Sequence, residues 1–322
     1  MPSFAAEPPI YAAVEVGSDS FRLHVGRFED GCLQLVASMA EPVRLSASID
    51  EDGMLCPAAM RRALACLGEF RAALDAWRPD ATRVVATSAL RMARNASLFL
   101  PAAGQALGRP IEIIAGDEAG RLVYLGVAST LDPHDPDPRL VIDIGGGATE
   151  LVAGQGAAIR RIETYAVGAV RKSLTFFPDG RIDGAGFEAA VRSSRSRFAD
   201  AALGASNWPL AYGACGTVRA LAEIVRQEEG TDARLTRAAL ARLRHAFVAS
   251  GNVARVRLAW EPAARVSHLP GGLAILVGLM EELDIAELKP VHAGLRVGAL
   301  WDLYLRSAPA AAGASVEPLG VV

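Results

Sequence analysis

The sequence lacks the marks of several large protein classes. It has four cysteines with no C-x-x-C spacing, which we interpret as reduced thiols of a cytoplasmic protein. None of its five histidines pairs with another at the spacing of zinc ligands. No apolar run is long enough to span a membrane, and the N-terminal segment lacks the basic and apolar regions of a signal peptide. We therefore expect a cytoplasmic protein without a membrane partner.

The sequence also lacks an excess of positive charge. Its 33 Lys and Arg residues against 36 Asp and Glu give a net charge of −3, so nucleic acid is not an expected partner. A bound polyanion must instead meet a local basic groove. Hydrophobic residues make up 51% of the 322 residues, which is enough to fill complete cores. Length and composition together predict a folded protein of two domains.

Two glycine-rich turns stand out in what the sequence does contain. The first, Val14–Ser20, reads VEVGSDS, and the second, Val141–Glu150, reads VIDIGGGATE. Each leads from an apolar strand through an acid into glycine and hydroxyl residues. The acid supplies hard oxygens for Mg²⁺, and the backbone N–H groups of a bare turn face phosphate oxygens. The two turns therefore predict a phosphate chain held between two similar domains.

The order of predicted elements indicates an α/β fold. Three strands precede a helix that begins at Pro57, strands and helices then alternate, and the same order restarts after residues 131–138. We expect Asn95 to cap a helix that Pro101 kinks or ends early, and Val291–Ala293 to form a late strand. The other predicted strands are Tyr11–Val16, Phe21–Phe28, Leu33–Met39, Arg83–Thr87, Ile111–Ala115, Leu140–Ile144, Leu151–Ala153, Arg160–Tyr165 and Leu210–Gly213.

A proline-rich stretch separates the predicted domains. We expect residues 10–130 to form the first domain and residues 139–306 the second. The linker 131–138 between them has three prolines and no hydrophobic periodicity. Residues 1–9 and 307–322 are expected to be flexible ends.

Three carboxylates belong to the two turns. Glu15, Asp143 and Glu150 are candidates for holding one Mg²⁺ across a cleft between the domains. Mg²⁺ usually keeps waters and binds through one or two carboxylates together with substrate phosphate. Alternatively, Glu15 and Asp143 only accept hydrogen bonds from the backbone of their own turns.

Seven motifs, in order, resemble those of the exopolyphosphatase/guanosine pentaphosphate phosphohydrolase (Ppx/GppA) family of the actin–hexokinase–Hsp70 superfamily. The resemblance extends from about Tyr11 to Arg306 and matches the short, two-domain form of that family. It implies two actin-like (ribonuclease H-like) α/β domains with a cleft between them and a final helix that returns to the first domain. The motifs are Gly17–Ser20, Ala86–Asn95, Arg121–Gly126, Asp143–Glu150, Gly213–Thr217, Leu269–Leu273 and Gly294–Arg296.

The resemblance implies that water releases the terminal phosphate of polyphosphate or guanosine pentaphosphate (pppGpp), with Mg²⁺ as cofactor. Asp143 and Glu150 would hold the metal or its waters, with Glu15 as a further metal ligand. Arg91 would pair with phosphate oxygens, for which a surface salt bridge is the alternative, and Arg265 is a weaker candidate of the same kind. The implied phosphate-binding positions are Ser18, Asp19, Ser20, Gly145, Gly146, Gly147, Thr149, Gly213, Gly216 and Thr217.

The chain departs from the family pattern at several positions. Glu15 stands where the family usually has Asp, so a metal must shift or an extra water must leave. Asp19 stands where the family usually has Asn, and its negative charge would repel phosphate unless a metal neutralises it. Cys215 replaces a serine, which removes a hydroxyl donor; a nucleophilic Cys215 is the less favoured alternative because no histidine is near it in sequence. Ser267 and Val297 replace acids.

The largest departure concerns the base that orients the attacking water. The family usually has two consecutive glutamates there, and the second corresponds to Ala119. Neighbours on a helix point about 100° apart, so Glu118 replaces the base only where the first helical turn is irregular. On that condition Glu118 is the candidate catalytic base, beside Arg91 and Asp143. Alternatively, Asp117 and Glu118 are N-terminal acids that the helix dipole stabilises.

Two functions of different classes follow from these residues. The first is a Mg²⁺-dependent phosphoanhydride hydrolase for polyphosphate or pppGpp, slowed by the loss of a base that typically contributes about 10²–10⁴-fold. The second is a protein that binds and senses polyphosphate or guanosine tetra- and pentaphosphate with little cleavage. A kinase of small substrates is less favoured, because the motifs outside the glycine turns do not match it. The oligomeric state stays open, with a homodimer as one alternative.

Overall fold

The computed structural model describes residues 8–203, 208–230, 234–256 and 266–307. Arg265 and residues 308–322 of the expected flexible tail lie outside the described residues. Within these ranges the chain forms two β-sheets with helices packed on them. Among the helices described, none combines the length and the apolar character needed to cross a membrane.

Five strands make the first sheet, namely β1 (Ile10–Val16), β2 (Phe21–Glu29), β3 (Cys32–Glu41), β4 (Ala81–Ala86) and β5 (Glu112–Ile113). Their order across the sheet is β3-β2-β1-β4-β5. The first three strands pair antiparallel, whereas β1, β4 and β5 run parallel to one another. The sheet therefore combines a meander with two crossover connections.

The second sheet contains β6 (Pro138–Ile144), β7 (Thr149–Gln155), β8 (Ala158–Tyr165), β9 (Trp208–Gly213), β10 (Leu235–Thr236) and β11 (Ile285–Pro290). Their order is β10-β11-β9-β6-β7-β8. Again the first three strands pair antiparallel, and β6, β9 and β11 run parallel. This repetition confirms the predicted α/β fold with duplicated architecture.

Ten α-helices connect and cover the strands of the described chain. The first begins at Pro57, as the sequence predicts. The helices are α1 (Pro57–Trp77), α2 (Ser88–Met92), α3 (Ala96–Leu107), α4 (Gly116–Ala128), α5 (Ala169–Phe176), α6 (Gly184–Phe198), α7 (Gly216–Glu229), α8 (Arg237–Ser250), α9 (Leu269–Glu282) and α10 (Leu295–Ser307).

Three local predictions are wrong. Asn95 does not cap α3, because its side chain instead accepts a hydrogen bond from Leu55 N (2.9 Å) and donates one to Leu55 O (3.0 Å). The helix does not end early at Pro101, which lies inside it, but continues to Leu107. The late strand is Ile285–Pro290, paired with β9, and not Val291–Ala293.

Side-chain alternation on β1 separates two hydrophobic cores. Ala12, Val14 and Val16 pack into the core of the first half. Tyr11 and Ala13 face the other way, into a cluster shared with both sheets, α4 and α10. Because successive side chains of a strand point to opposite faces, Glu15 also faces the space between the two sheets.

Helices α4 and α10 cross between the two sheets. α4 contacts β6, β7 and β8, whereas α10 contacts β1, β2 and β4. A Cβ atom on Gly298 would lie 1.8 Å from Leu122 O, and one on Gly126 would lie 2.3 Å from Gly294 O. Glycine at these positions therefore permits the close backbone approach that joins the two halves.

Candidate active site

A cleft that is partly open to solvent lies between the two sheets. Asp143 and Glu150 face it because they share strand parity with Val141 and Val152, which belong to the shared cluster. Glu15 faces it from β1. The two glycine turns, the first turn of α4, the start of α7 and the start of α10 complete the walls. The fold thus brings together the three carboxylates that the sequence singled out.

The three carboxylates repel one another in this cleft. Asp143 and Glu150 are directly opposite in the antiparallel pairing of β6 and β7. Burial, and then the charge of Glu15, raise the pKa of Asp143 above its usual range. Burial, and then the charge of Asp143, likewise raise the pKa of Glu150. The site therefore concentrates negative charge that a bound cation would neutralise.

The donor set fits Mg²⁺ in chemical type. Carboxylate oxygens are hard ligands, and Mg²⁺ commonly uses only one or two of them, completing its shell with water and phosphate. Across the described residues, no three His, Cys, Asp or Glu side chains converge into a ready metal site. Glu15 is drawn into an ion pair with Arg296. Asp143 and Glu150 are therefore the residues that would hold the ion.

The first glycine turn is held in shape by its own hydroxyl groups. Ser18 Oγ accepts a hydrogen bond from Ala89 N (3.0 Å), and Ser20 Oγ accepts one from Arg22 Nε (2.9 Å). Asp19 Oδ1 is buried without a hydrogen bond and lies 3.2 Å from His268 Nε2 on the other side of the cleft. Ser18, Asp19 and Ser20 all line the cleft, where the sequence placed them.

The second glycine turn divides into lining and packing residues. Gly145 and Gly146 line the cleft. Gly147 does not, and a Cβ there would lie 2.9 Å from both Met92 Cε and Ser88 Oγ, so this glycine serves close packing. Thr149 is fully buried and donates its hydroxyl hydrogen to Val167 O (2.7 Å). Gly147 and Thr149, which the resemblance implied as phosphate-binding residues, therefore do not line the cleft.

The loop before α7 divides in the same way. Gly216 and Thr217 line the cleft, whereas Gly213 does not. A Cβ atom on Gly213 would lie 2.5 Å from Val218 Cγ1, so this glycine serves close packing against α7. Cys215 Sγ accepts a hydrogen bond from Val218 N (3.4 Å) and so caps α7. Burial raises the pKa of the Cys215 thiol to about 11, which keeps it protonated and unsuited to nucleophilic attack.

Arg91 lies beside Glu150, which lines the cleft, but does not line the cleft itself. Its Nη2 lies 3.8 Å from Glu150 Oε1, and its Nη1 donates a hydrogen bond to Ile114 O (2.8 Å). Arg91 is not among the lining residues. In this arrangement its charge lowers the pKa of Glu150, opposing the effect of burial. The structure therefore shows Arg91 as the counter-charge of a cleft carboxylate.

Glu118 does not reach the cleft, whereas Ala119 does. Glu118 accepts hydrogen bonds from Arg83 Nη2 (2.6 Å) and Arg121 Nε (2.7 Å), and both arginines also bond Asp302 of α10. Burial alone would raise the pKa of Glu118, but the bonds from Arg121 and Arg83 lower it. The first turn of α4 is regular, so the condition for Glu118 to act as base is not met. Its geometry is that of a structural ion pair.

Several cleft residues escaped sequence reasoning. On β2, Arg22 and His24 point into the cleft, and Arg22 is the register partner of Glu15. Burial, then the charges of Arg296, Arg22 and Arg219, lower the pKa of His24 to about 3, so its neutral Nε2 accepts a hydrogen bond from Arg296 Nε (3.3 Å). Arg22 lies opposite Glu15 in the β1–β2 hairpin, and His24 lies two residues further on, so all three side chains share one face of the sheet. This alternation was the signal that could have identified Arg22 and His24. The other lining residues missed are Arg219, His268, His292 and, in this role, Arg296.

Comparison with protein families gives one match over most of the chain. Residues 24–307 match the model of the Ppx/GppA phosphatase family. A guanosine-5'-triphosphate,3'-diphosphate pyrophosphatase of Vibrio vulnificus is 35% identical over 306 residues, covering 94% of this chain and 60% of the relative. The corresponding protein of Vibrio campbellii is 34% identical with the same coverage. The chain thus spans about 60% of the length of these relatives.

Solved structures share the fold. The Aquifex aeolicus member of the Ppx/GppA family superposes with a TM-score of 0.75 at 24% identity, covering 94% of this chain and 99% of that one. An exopolyphosphatase from Cytophaga hutchinsonii gives a TM-score of 0.83 at 20% identity, covering 91% and 97%. At these identities the likeness shows a shared fold.

Proposed function

Because the chain belongs to the Ppx/GppA phosphatase family, we propose that its cleft hydrolyses the terminal phosphoanhydride bond of polyphosphate or pppGpp. The observation that carries this proposal is the meeting of Asp143, Glu150 and the turns Gly17–Ser20 and Gly145–Gly146 in one cleft. A phosphate group needs backbone donors, which the turns would supply, and a cation that neutralises its charge, which the two carboxylates would hold.

The terminal phosphate lies between the two glycine turns. Backbone N–H groups at Gly17–Ser20 and Gly146 donate to its oxygens, whereas the Gly145 N–H already donates to Ala148 O (2.9 Å); the N-terminus of α7 at Gly216 and Thr217 adds a favourable dipole. Asp143 and Glu150 would hold Mg²⁺, which would supply positive charge to the phosphate oxygens. The charge of Arg91 favours the ionised form of Glu150, although burial and Asp143 outweigh it and raise the pKa of Glu150 in the metal-free protein.

The reaction forms one bond and breaks one bond. A water oxygen attacks the terminal phosphorus, the bridging P–O bond breaks, and inorganic phosphate leaves a chain shortened by one phosphate. Position 119 offers no acceptor for the proton of that water, because Ala119, Val123 and Val297 present only apolar groups to this part of the cleft. We therefore infer slow turnover, since a positioned base contributes about 10²–10⁴-fold.

Phosphate release with matched variants tests this function. Purified protein with Mg²⁺ is incubated with polyphosphate or pppGpp, and released phosphate and shortened products are measured. Asp143→Asn removes a cleft charge at constant shape and should lower the rate about ten-fold or more. Asp75→Asn, at an exposed position of α1, is the matched control and should leave the rate unchanged. A rate that is equal in wild type and Asp143→Asn would contradict the proposal.

A sensor of the same ligands is the second candidate. It is favoured by one observation, namely that Ala119 takes the cleft position while Glu118 is bound to two arginines. Calorimetry with polyphosphate, guanosine tetraphosphate and pppGpp separates the two functions. Binding of one ligand without phosphate release supports the sensor, and absence of binding to all three rejects it.

A further inference from the structure

Two exposed arginines stand at the rim of the cleft without an acidic partner in the described chain. Arg44 follows β3 in the first half, and Arg171 lies on α5 in the second half. The Arg44 side chain makes neither a hydrogen bond nor an ion pair within the described ranges, and the guanidinium of Arg171 contacts only Met92 Sδ (3.4 Å). Two unneutralised charges therefore face solvent beside an anion-binding cleft.

Arg44 has a strained backbone that is tied to the first glycine turn. Its φ of 58° lies in the left-handed region, which is unfavourable for a residue with a Cβ. Its N–H donates to Asp19 O (2.7 Å), and the N–H of Ser46 donates to Ser18 O (2.9 Å). Such strain persists where the surroundings enforce it, and it concentrates at ligand-binding sites. The bonds fix Arg44 next to the turn.

Arg171 is tied to the second glycine turn in an equivalent way. The N–H groups of the two residues before it, Ala169 and Val170, donate to Gly145 O (2.9 Å) and Gly146 O (3.1 Å). The methionine that Arg171 contacts packs on the same turn, since Met92 Cε would lie 2.9 Å from a Cβ on Gly147. Each arginine is thus anchored to one of the two turns that receive the terminal phosphate.

Ser46 packs between the segment of Arg44 and the second glycine turn. It is only 5% exposed, and its Oγ has no hydrogen-bond partner. The Oγ lies 3.3 Å from the position of a Cβ on Gly147, so Ser46 joins the segment of Arg44 to the second turn. The short helix Ser46–Ser48 also contacts α5, which carries Arg171. The two arginine-bearing segments therefore meet over the glycine turns.

We propose that Arg44 and Arg171 form an outer subsite for the phosphoryl groups that follow the terminal phosphate of a linear chain. This inference rests on the proposed function, because it places the terminal phosphate between the two turns. Guanidinium groups bind phosphate oxygens through paired N–H donors. Neither arginine lines the cavity itself. A chain with repeated phosphates offers an anionic group at the cavity and another at the rim.

Affinity measurements on chains of different length test the subsite. Arg44→Asn keeps a residue that tolerates the left-handed backbone, and Arg171→Gln keeps helical length. Calorimetry compares long-chain polyphosphate, tripolyphosphate and pppGpp over a range of salt concentrations. The double variant should lose about ten-fold in affinity for the long chain and less than about two-fold for tripolyphosphate. Each charge removed should lower the slope of log affinity against log salt by about 0.7, so the double variant should lower it by about 1.4.

Arg192→Gln is the matched control, since Arg192 is an exposed arginine of α6 that does not line the cleft. It should leave all three affinities unchanged. The same loss in the control, an equal loss for the long chain and tripolyphosphate, or no loss for the long chain would overturn the subsite. A loss of affinity confined to pppGpp would show that the two arginines bind a nucleotide and not a linear phosphate chain, and would also overturn the subsite. Tight long-chain binding without phosphate release would contradict the proposed hydrolysis alone, and absence of binding in wild type would overturn both.

Discussion

Two neighbouring residues of α4 have opposite surroundings. Ala119 lines the cleft, whereas Glu118 is bonded to Arg83 and Arg121. The sequence predicts that these neighbours diverge, because helical geometry separates their directions by about 100°. It does not predict the partners of Glu118, since the ion pairs also involve Asp302, which is distant in sequence and approaches only when α10 packs on α4.

The environment of the cleft carboxylates predicts how the free energy of unfolding of the metal-free protein depends on pH. Burial and Asp143 raise the pKa of Glu150 in the folded state from 4.5 to about 8. Between these values the folded state binds more protons than the unfolded state, so the free energy of unfolding falls as pH rises. Glu150→Gln cannot ionise and should lose less stability between about pH 5 and pH 8 than wild type. Urea unfolding in the presence of a chelator at both pH values measures this difference.

An exposed glutamate provides the control for that measurement. Glu69→Gln on α1 removes a carboxylate in contact with solvent and should leave the pH dependence of wild type intact. Identical pH dependence in wild type and Glu150→Gln would show that this carboxyl is not held in a repulsive, buried environment.

The helix crossing makes a prediction at the scale of elements. Gly298→Ala places a methyl group where Leu122 O lies 1.8 Å away, so α10 and α4 must separate. We expect a loss of about 1–3 kcal/mol in the free energy of unfolding, the usual cost of overpacking. Urea unfolding followed by circular dichroism measures it.

A glycine without neighbours gives the matched control for the crossing. Gly68 lies inside α1, and a Cβ there would meet nothing within 4 Å. Gly68→Ala should therefore stabilise the protein by up to about 1 kcal/mol, because alanine favours the helix. Destabilisation by both changes would mean that glycine content, and not the crossing, governs the result at Gly298.

Elements were predictable where local pattern decides them. Apolar segments on either side of the Gly17–Ser20 turn predicted β1 and β2, and the helix that begins at Pro57 was predicted from that proline and its helical spacing. The strand Ile285–Pro290 was missed because Glu287 and Lys289 dilute its apolar pattern, and pairing with β9 stabilises it. In the sequence Asn95 has the position and type of a helix N-cap, but its side chain instead hydrogen-bonds the backbone of Leu55, which is 40 residues away in sequence. Such tertiary partners are invisible in a single sequence.

At the scale of the whole molecule, two halves of similar topology carry different chemistry. The second half contributes Asp143 and Glu150, a facing pair suited to a metal ion. The first half contributes Glu15, which pairs with Arg296 from the final helix. The sequence predicted both turns and the acids in them. It did not predict this division of roles, because Arg296 reaches Glu15 only after α10 has crossed to the first sheet.

The most direct test of this account is the turnover of Ala119→Glu. The change restores a carboxylate to the cleft wall, and Ala119→Gln is a control of equal size without a base. With polyphosphate or pppGpp and Mg²⁺, we expect Ala119→Glu to raise kcat about 10²-fold while affinity stays within about two-fold of wild type. Ala119→Gln should leave kcat unchanged. Equal turnover of the Glu and Gln variants would contradict the account of a phosphate cleft limited by the missing base.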